Sequence, residues 1–119
     1  MIEIKIENNG ELVVFNVLTT TSFQEITNNI KDNYHIVKRF VLWDFGDTDL
    51  SGLSTQEIRN VSEVVKQHAL HEKTAYVGNT TLEIGLLNMY KAYADISEVI
   101  PISKVFQTKE EAIEWLYSN

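Results

Sequence analysis

Polar and apolar residues alternate at the start of the chain. Ile2, Ile4 and Ile6 are separated by charged residues, and this period of two predicts a β-strand with one polar face. Residues 8–10, Asn-Asn-Gly, tolerate positive φ and predict a tight hairpin turn. Residues 12–18 are then the returning strand of an antiparallel hairpin.

An apolar run, Phe40 to Trp43, stops abruptly at Asp44. A short apolar run bounded by turn residues predicts a strand that is buried on both faces, as the strands of parallel sheets are. Residues 74–77 and 99–106 predict two more strands, and Pro101 weakens the second near its middle.

Apolar residues at helical spacing follow polar capping residues at four places. The predicted helices begin at Ser22, at Ser54 or Thr55, at Thr80 and at Thr108. The order ββαβαβαβα predicts an α/β fold with a mixed, mostly parallel sheet, an N-terminal antiparallel hairpin and helices packed on the sheet. We expect one domain, residues 1–119, with its functional region at the carboxyl end of the central strand.

Composition and charge narrow the function classes. The formal charge is −7, which argues against nucleic acid and anionic membrane surfaces as partners. The chain has no cysteine, so neither disulfides nor thiolate metal sites contribute. No apolar run approaches the roughly 20 residues that cross a bilayer, and the first ten residues do not resemble a signal peptide. We therefore expect a cytoplasmic protein without a transmembrane segment.

Three segments carry a resemblance to a known family. They are Asp49-Leu50-Ser51-Gly52-Leu53, Thr74-Ala75-Tyr76-Val77-Gly78 and Glu111-Ala112-Ile113-Glu114-Trp115-Leu116. With these segments in this order, the chain resembles over nearly its whole length the SpoIIAA-like proteins, a branch of the STAS superfamily of sulfate transporter and anti-sigma-factor antagonist domains. The resemblance implies a SpoIIAA-like fold and a bacterial regulatory module that acts through protein contacts.

The turn formed by Asp49, Ser51 and Gly52 corresponds to the regulatory turn of that family. Anti-sigma-factor antagonists have Asp-Ser-Ser-Gly-Leu there, and a kinase phosphorylates the first serine. That position is Leu50 in this chain, so the phosphoswitch of the family does not transfer directly. Two interpretations of the turn stay open: Asp49 and Ser51 cap it by bonding backbone N–H groups, or Ser51 is itself a phosphosite.

Acidic residues and histidines suggest metal sites only weakly. Asp44, Asp47 and Asp49 carry the carboxylates that Mg²⁺ prefers, and their loop loosely resembles that of haloacid-dehalogenase-like phosphatases. Those enzymes need a second aspartate where this chain has glycine. His68 and His71 have i, i+3 spacing late in the second helix, but a zinc site needs a third protein ligand that no motif supplies. We predict no catalytic residue, no metal and no cofactor.

The third predicted helix supplies a candidate contact surface. At a step of ~100° per residue, four residues share one face of this helix and form its predicted core stripe: Leu82, Leu86, Met89 and Tyr93. Ile84, Leu87 and Tyr90 are predicted to face outward as an apolar patch. Together with Asp47 and Leu53 of the acidic turn, this patch forms the predicted surface for a protein partner of unknown identity, and a homodimer is one option.

The preferred function is therefore a non-catalytic interaction or regulatory module of the SpoIIAA-like type. The alternative is a carrier or sensor of a small apolar molecule, because the fold of the family is similar to that of the CRAL-TRIO lipid-binding domains. Its pocket would be lined by Trp43, Tyr76, Tyr90 and Tyr93. A short chain leaves little core to hollow out, which counts against a carrier. A metal-dependent enzyme is a distant third.

Overall fold

A computed structural model of the chain describes residues 1–18, 21–46, 48–50, 52, 54–96 and 98–118. Within these residues, five strands form one sheet in the order β1-β2-β3-β4-β5. The strands are β1 (Ile2–Glu7), β2 (Leu12–Val17), β3 (Phe40–Asp44), β4 (Lys73–Val77) and β5 (Ile102–Phe106). The helices are α1 (Phe23–Asn33), α2 (Thr55–His68), α3 (Thr81–Ile96) and α4 (Lys109–Leu116). The predicted order ββαβαβαβα and the predicted α/β fold class are confirmed.

The N-terminal hairpin is the antiparallel part of the sheet. β1 pairs with β2 so that Ile4 lies opposite Phe15, and the remaining neighbours pair in parallel. Asn8, Asn9 and Gly10 have the predicted positive φ values, but they form a short 3-10 turn rather than a two-residue loop. The isoleucine face of β1 is only partly covered, since Ile4 and Ile6 are exposed.

β3 lies at the centre of the sheet, as predicted from its apolar run. Val41 and Trp43 face the side covered by α1, α2 and α3, whereas Phe40 and Leu42 face the side covered by α4. The Trp43 ring stacks on Phe15 with centroids 4.4 Å apart. Both faces of this strand are therefore packed, which explains why it has no polar alternation.

Local capping explains where the helices begin. Ser22 and Glu25 form the predicted capping box at the start of α1, and Ser54 caps α2. Thr108 accepts a hydrogen bond from the backbone N–H of Glu111 at the start of α4. The predicted last strand is too long at its beginning, because β5 starts at Ile102. Pro101 has no N–H to donate to the ladder, so the strand begins after it.

The predicted rotation of α3 is wrong for half of its core stripe, since Leu86 and Tyr93 pack against the core but the other two residues do not. Its buried residues are Glu83, Leu87, Tyr90 and Ala94, whereas Leu82 and Met89, which were predicted to face the core, are 63% and 56% exposed. Leu87 and Tyr90 are therefore core residues and not part of an outward patch, and Ile84 is half-buried.

The end of β4 fixes this rotation. A Cβ on Gly78 would lie 3.1 Å from Glu83 Cβ and 3.2 Å from Leu87 Cδ1, so glycine allows this side of α3 to approach the strand end closely. The Glu83 carboxylate then accepts hydrogen bonds from Asn79 N at 3.3 Å and from Thr80 Oγ1 at 3.2 Å. These bonds satisfy a buried charge at the start of the helix and hold Glu83 on the inner side.

Among the described residues, no helix is long and apolar enough to cross a membrane.

Candidate functional site

The turns that follow β3 and β4 are joined to each other. Phe45 N donates to Val77 O at 2.9 Å, and Asn79 N donates to Gly46 O at 3.3 Å. The Asp44 carboxylate accepts a hydrogen bond from Gly46 N at 3.0 Å, which is the local bond of an Asx turn. Asp44 thus has a structural role at the carboxyl end of the sheet, the edge at which function was predicted.

The predicted regulatory turn is partly described. Asp49 and Gly52 are exposed, whereas Leu50 is buried in the core beneath the helices. Ser51, Asp47 and Leu53 lie outside the described residues, so their predicted roles stay predictions. The burial of Leu50 gives a physical reason for an apolar residue at this position of the turn, because this side chain fills the core.

A small cavity of about 40 Å³ lies between the sheet and α1, α2 and α3. Three of the four predicted pocket residues line it, namely Trp43, Tyr76 and Tyr90. Tyr93 does not line it. Tyr93 instead lies in a groove beside α2, near Arg59 and Glu63, because the rotation of α3 turns Tyr90 rather than Tyr93 towards the sheet.

Tyrosine hydroxyls are the polar groups of interest around this cavity. Trp43 Nε1 donates to Tyr34 Oη at 2.9 Å. Tyr90 Oη is buried and makes no hydrogen bond of good geometry among the described residues, although its ring packs edge-on against Tyr76 with centroids 5.6 Å apart and the two hydroxyls interact. Burial raises the pKa of Tyr34, of Tyr76 and of Tyr90. These phenols therefore stay protonated at neutral pH and do not act as bases.

The volume of the cavity limits what it holds. Its 40 Å³ accommodates a few water-sized atoms, whereas a cavity of about 150 Å³ is needed for a ligand the size of benzene. Pockets for drug-sized ligands are larger still, roughly 300 Å³ or more. A lipid carrier would need this core to open, so the carrier alternative is weakened for this conformation.

The two histidines do not form a joint site. α2 ends at His68, so His71 lies beyond the helix and not on its face. His71 is buried, and its Nε2 lies 2.6 Å from Thr74 Oγ1. Burial lowers the pKa of His71 to about 4, so it is neutral at pH 7. Within the part of the chain that the structure describes, no three histidine or carboxylate side chains form a metal-binding cluster.

The outward side of α3 carries an apolar stripe that the predicted rotation missed. This outer stripe consists of residues spaced by three, four, three and four positions: Leu82, Gly85, Met89, Ala92 and Ile96. All five are exposed, and the side chain of Ile96 is 82% accessible. The spacing is that of positions a and d in a coiled coil, and this pattern was the signal in the sequence that could have identified the stripe.

Comparisons of the chain with protein-family models, with curated proteins and with solved structures gave no match.

Proposed function

We propose that this domain is a non-catalytic interaction module of the SpoIIAA-like type, and that it binds an α-helix of its partner along the outer stripe of α3. The single observation that carries the proposal is the exposure of Leu82, Met89 and Ile96 on one side of a helix whose opposite side already serves the core. Isolated exposed apolar residues are common, but a contiguous row more often marks a contact.

The geometry of the outer stripe suits a helical partner. α3 has 16 residues, so the stripe runs along about 24 Å at a rise of 1.5 Å per residue. Large side chains alternate along it with Gly85 and Ala92, and apart from its own helix no described atom lies within 4 Å of a Cβ built on Gly85. Such alternation leaves holes into which the knobs of another helix fit.

The flank of the stripe is nearly neutral. Lys91 Nζ pairs with Asp95 Oδ2 at 2.6 Å across one helical turn, and none of the five stripe residues is charged. A chain of charge −7 repels many acidic proteins at long range. An uncharged contact surface therefore allows a partner to approach the stripe closely, whereas the negative charge on the rest of the molecule would repel an acidic partner.

Photo-cross-linking in the native host tests this proposal. A photo-reactive phenylalanine derivative replaces Met89 in one variant and Leu70 in a matched control, because Leu70 is also strongly exposed, at 81%, but lies outside α3. We expect position 89 to cross-link to a helical segment with apolar residues at heptad spacing, identified by peptide mass. Equal cross-linking from both positions, or cross-links from position 89 to non-helical segments, would contradict the proposal.

A second candidate function, a sensor of a very small molecule, is favoured by the hydroxyl of Tyr90, which makes no hydrogen bond of good geometry among the described residues around the cavity. The ligand would combine an apolar body of a few heavy atoms with one group that accepts a hydrogen bond. Titration with propan-2-ol, followed by NMR of the Leu87 and Val65 methyl groups, tests it. Saturable shifts that are lost in Tyr90→Phe support the sensor, and unsaturable shifts that are equal in both proteins count against it.

A further inference from the structure

We infer that the helix that covers the outer stripe is α3 of a second copy of this chain, packed antiparallel around a two-fold axis. This inference rests on the proposed function and names the partner. It follows from the order of large and small residues along the stripe, from the orientation that this order allows, and from the charges at the two ends of α3.

In the antiparallel orientation, large residues of one outer stripe lie opposite small residues of the other. When Leu82 is placed opposite Ala92 of the partner subunit, Met89 falls opposite Gly85 of the partner subunit, and the two-fold axis repeats both pairs. Leu82 and Met89 then each meet a small residue, and Ile96 extends past the beginning of α3 in the partner subunit. An isologous contact requires this kind of self-complementarity, and close packing of a large residue against a small one leaves neither voids nor overlaps.

A parallel arrangement does not achieve the same fit. It would place Leu82 against Leu82 of the partner subunit and Met89 against Met89 of the partner subunit, with paired Gly85 residues between them. Large side chains in contact would hold the helices apart, and the glycine layer would remain unfilled. The parallel orientation would also align two helix macrodipoles side by side, whereas the antiparallel orientation opposes them.

Charges at the ends of α3 also favour the antiparallel orientation. Asp95, in the last turn, pairs with Lys91 of its own helix and would also lie beside Thr81 of the partner subunit, in the first helical turn, where the backbone N–H groups favour a carboxylate. Asn88 is uncharged and would lie beside its own copy near the axis. Neither flank of this arrangement therefore places like charges directly opposite each other.

Cysteine chemistry tests the orientation directly, because the chain has no cysteine of its own. Asn88 and Thr81 are both exposed on α3, so single variants Asn88→Cys and Thr81→Cys are matched. The pairing above has its midpoint at position 87. Two copies of residue 88 are then about two residues apart along the axis, and two copies of residue 81 are about 12 residues apart, or roughly 18 Å. A short bis-maleimide reaches across the first separation but not the second.

We expect the purified Asn88→Cys protein to form a cross-linked dimer at least several-fold faster than the Thr81→Cys protein. Adding Met89→Lys to Asn88→Cys should abolish the cross-link, whereas adding Leu70→Lys should leave it unchanged. Thermal melts of the uncross-linked proteins check that the added lysines leave the fold intact.

Two results would overturn the inference. Equal cross-linking of Asn88→Cys and Thr81→Cys would indicate a parallel or non-specific contact. Absence of cross-linking in both, with sedimentation of a monomer at high protein concentration, would show that a second copy does not cover the stripe. In that case the photo-cross-linking experiment decides the proposed function separately: a different protein captured through a helix at position 89 leaves it standing, and no such capture removes it.

Discussion

Two buried tyrosines offer a matched test of the hydrogen bonding around the cavity. Tyr34 and Tyr90 are both 5% exposed, and both line the cavity. Their hydroxyls differ, because Tyr34 Oη accepts the hydrogen bond of Trp43 Nε1 at 2.9 Å and Tyr90 Oη makes no hydrogen bond of good geometry among the described residues. Replacing either by phenylalanine removes one oxygen and keeps the ring, so the apolar contribution nearly cancels between the two variants.

The two substitutions should differ in their effect on the free energy of unfolding, and only Tyr34→Phe should lower it. Tyr34→Phe leaves the indole N–H of the buried Trp43 unpaired, and a buried unsatisfied donor costs about 1–3 kcal/mol. Tyr90→Phe removes a hydroxyl that interacts with Tyr76 without a hydrogen bond of good geometry, so we expect stability to stay unchanged or rise by ~1 kcal/mol. The difference between the variants should therefore be about 2 kcal/mol, or roughly 8 °C in thermal midpoint for a domain of this size.

Urea denaturation of the wild type and both variants measures this difference. The m-values should agree, which would show that the unfolded states are comparable. Tyr90→Phe serves as the control for Tyr34→Phe, because the two positions share burial and location. If Tyr90→Phe destabilises the protein as much as Tyr34→Phe, then Tyr90 has a bound partner, such as water or a ligand, and the hydroxyl is not orphaned in solution.

Other predictions concern single side chains, each checked by urea melts. Trp43→Ala should cost ~3–5 kcal/mol because the ring is buried and stacked, whereas Ser62→Ala should not destabilise, since Ser62 Oγ is buried without a partner among the described residues. Leu87→Lys should unfold the protein, because Leu87 is only 3% exposed and the ammonium would be buried unpaired. His71 should make the protein less stable as pH falls from about 6.5 to 4, by at most ~3 kcal/mol, because its folded pKa is about 4 and only the unfolded chain binds the proton there. His71→Gln should flatten this part of the profile.

The order of elements was predictable because its determinants are local. The capping box of Ser22 and Glu25 lies within four residues, and so do the positive-φ residues of the hairpin turn. The apolar run that became β3 has no helical alternative of sufficient length, since it is bounded by Arg39 and by an acidic turn. Each of these features specifies its own segment without tertiary contacts, so the sequence pattern predicts these elements correctly.

The rotation of α3 was not predictable in the same way, because its pattern allows more than one buried face. Apolar residues occur on several sides of this helix, so periodicity alone does not select the stripe that meets the sheet. The contact at Gly78 and the bonds of Glu83 make that selection, and both depend on how β4 ends relative to α3. A buried glutamate also runs against the usual expectation that charged residues face solvent.

The predicted regulatory turn shows a related limit. Leu50 lies between polar residues of the acidic turn, and the sequence does not reveal that this leucine is only 3% exposed. Tertiary packing alone supplies that fact, because a leucine in a polar turn is equally compatible with exposure.

The composition of α3 itself argues that its outer stripe is covered in the functional protein. A helix that is apolar on all sides is usually buried on all sides, but the sheet and α2 cover only one side of α3 here. Charged residues within an exposed apolar face usually protect it against unwanted association. The stripe from Leu82 to Ile96 has no charged residue. Lys91 and Asp95 flank the stripe and neutralise each other. The chain has 27 charged residues, and none of them lies on this face. The face is therefore suited to contact with another apolar surface. An uncovered stripe of this kind would instead make the monomer prone to non-specific association.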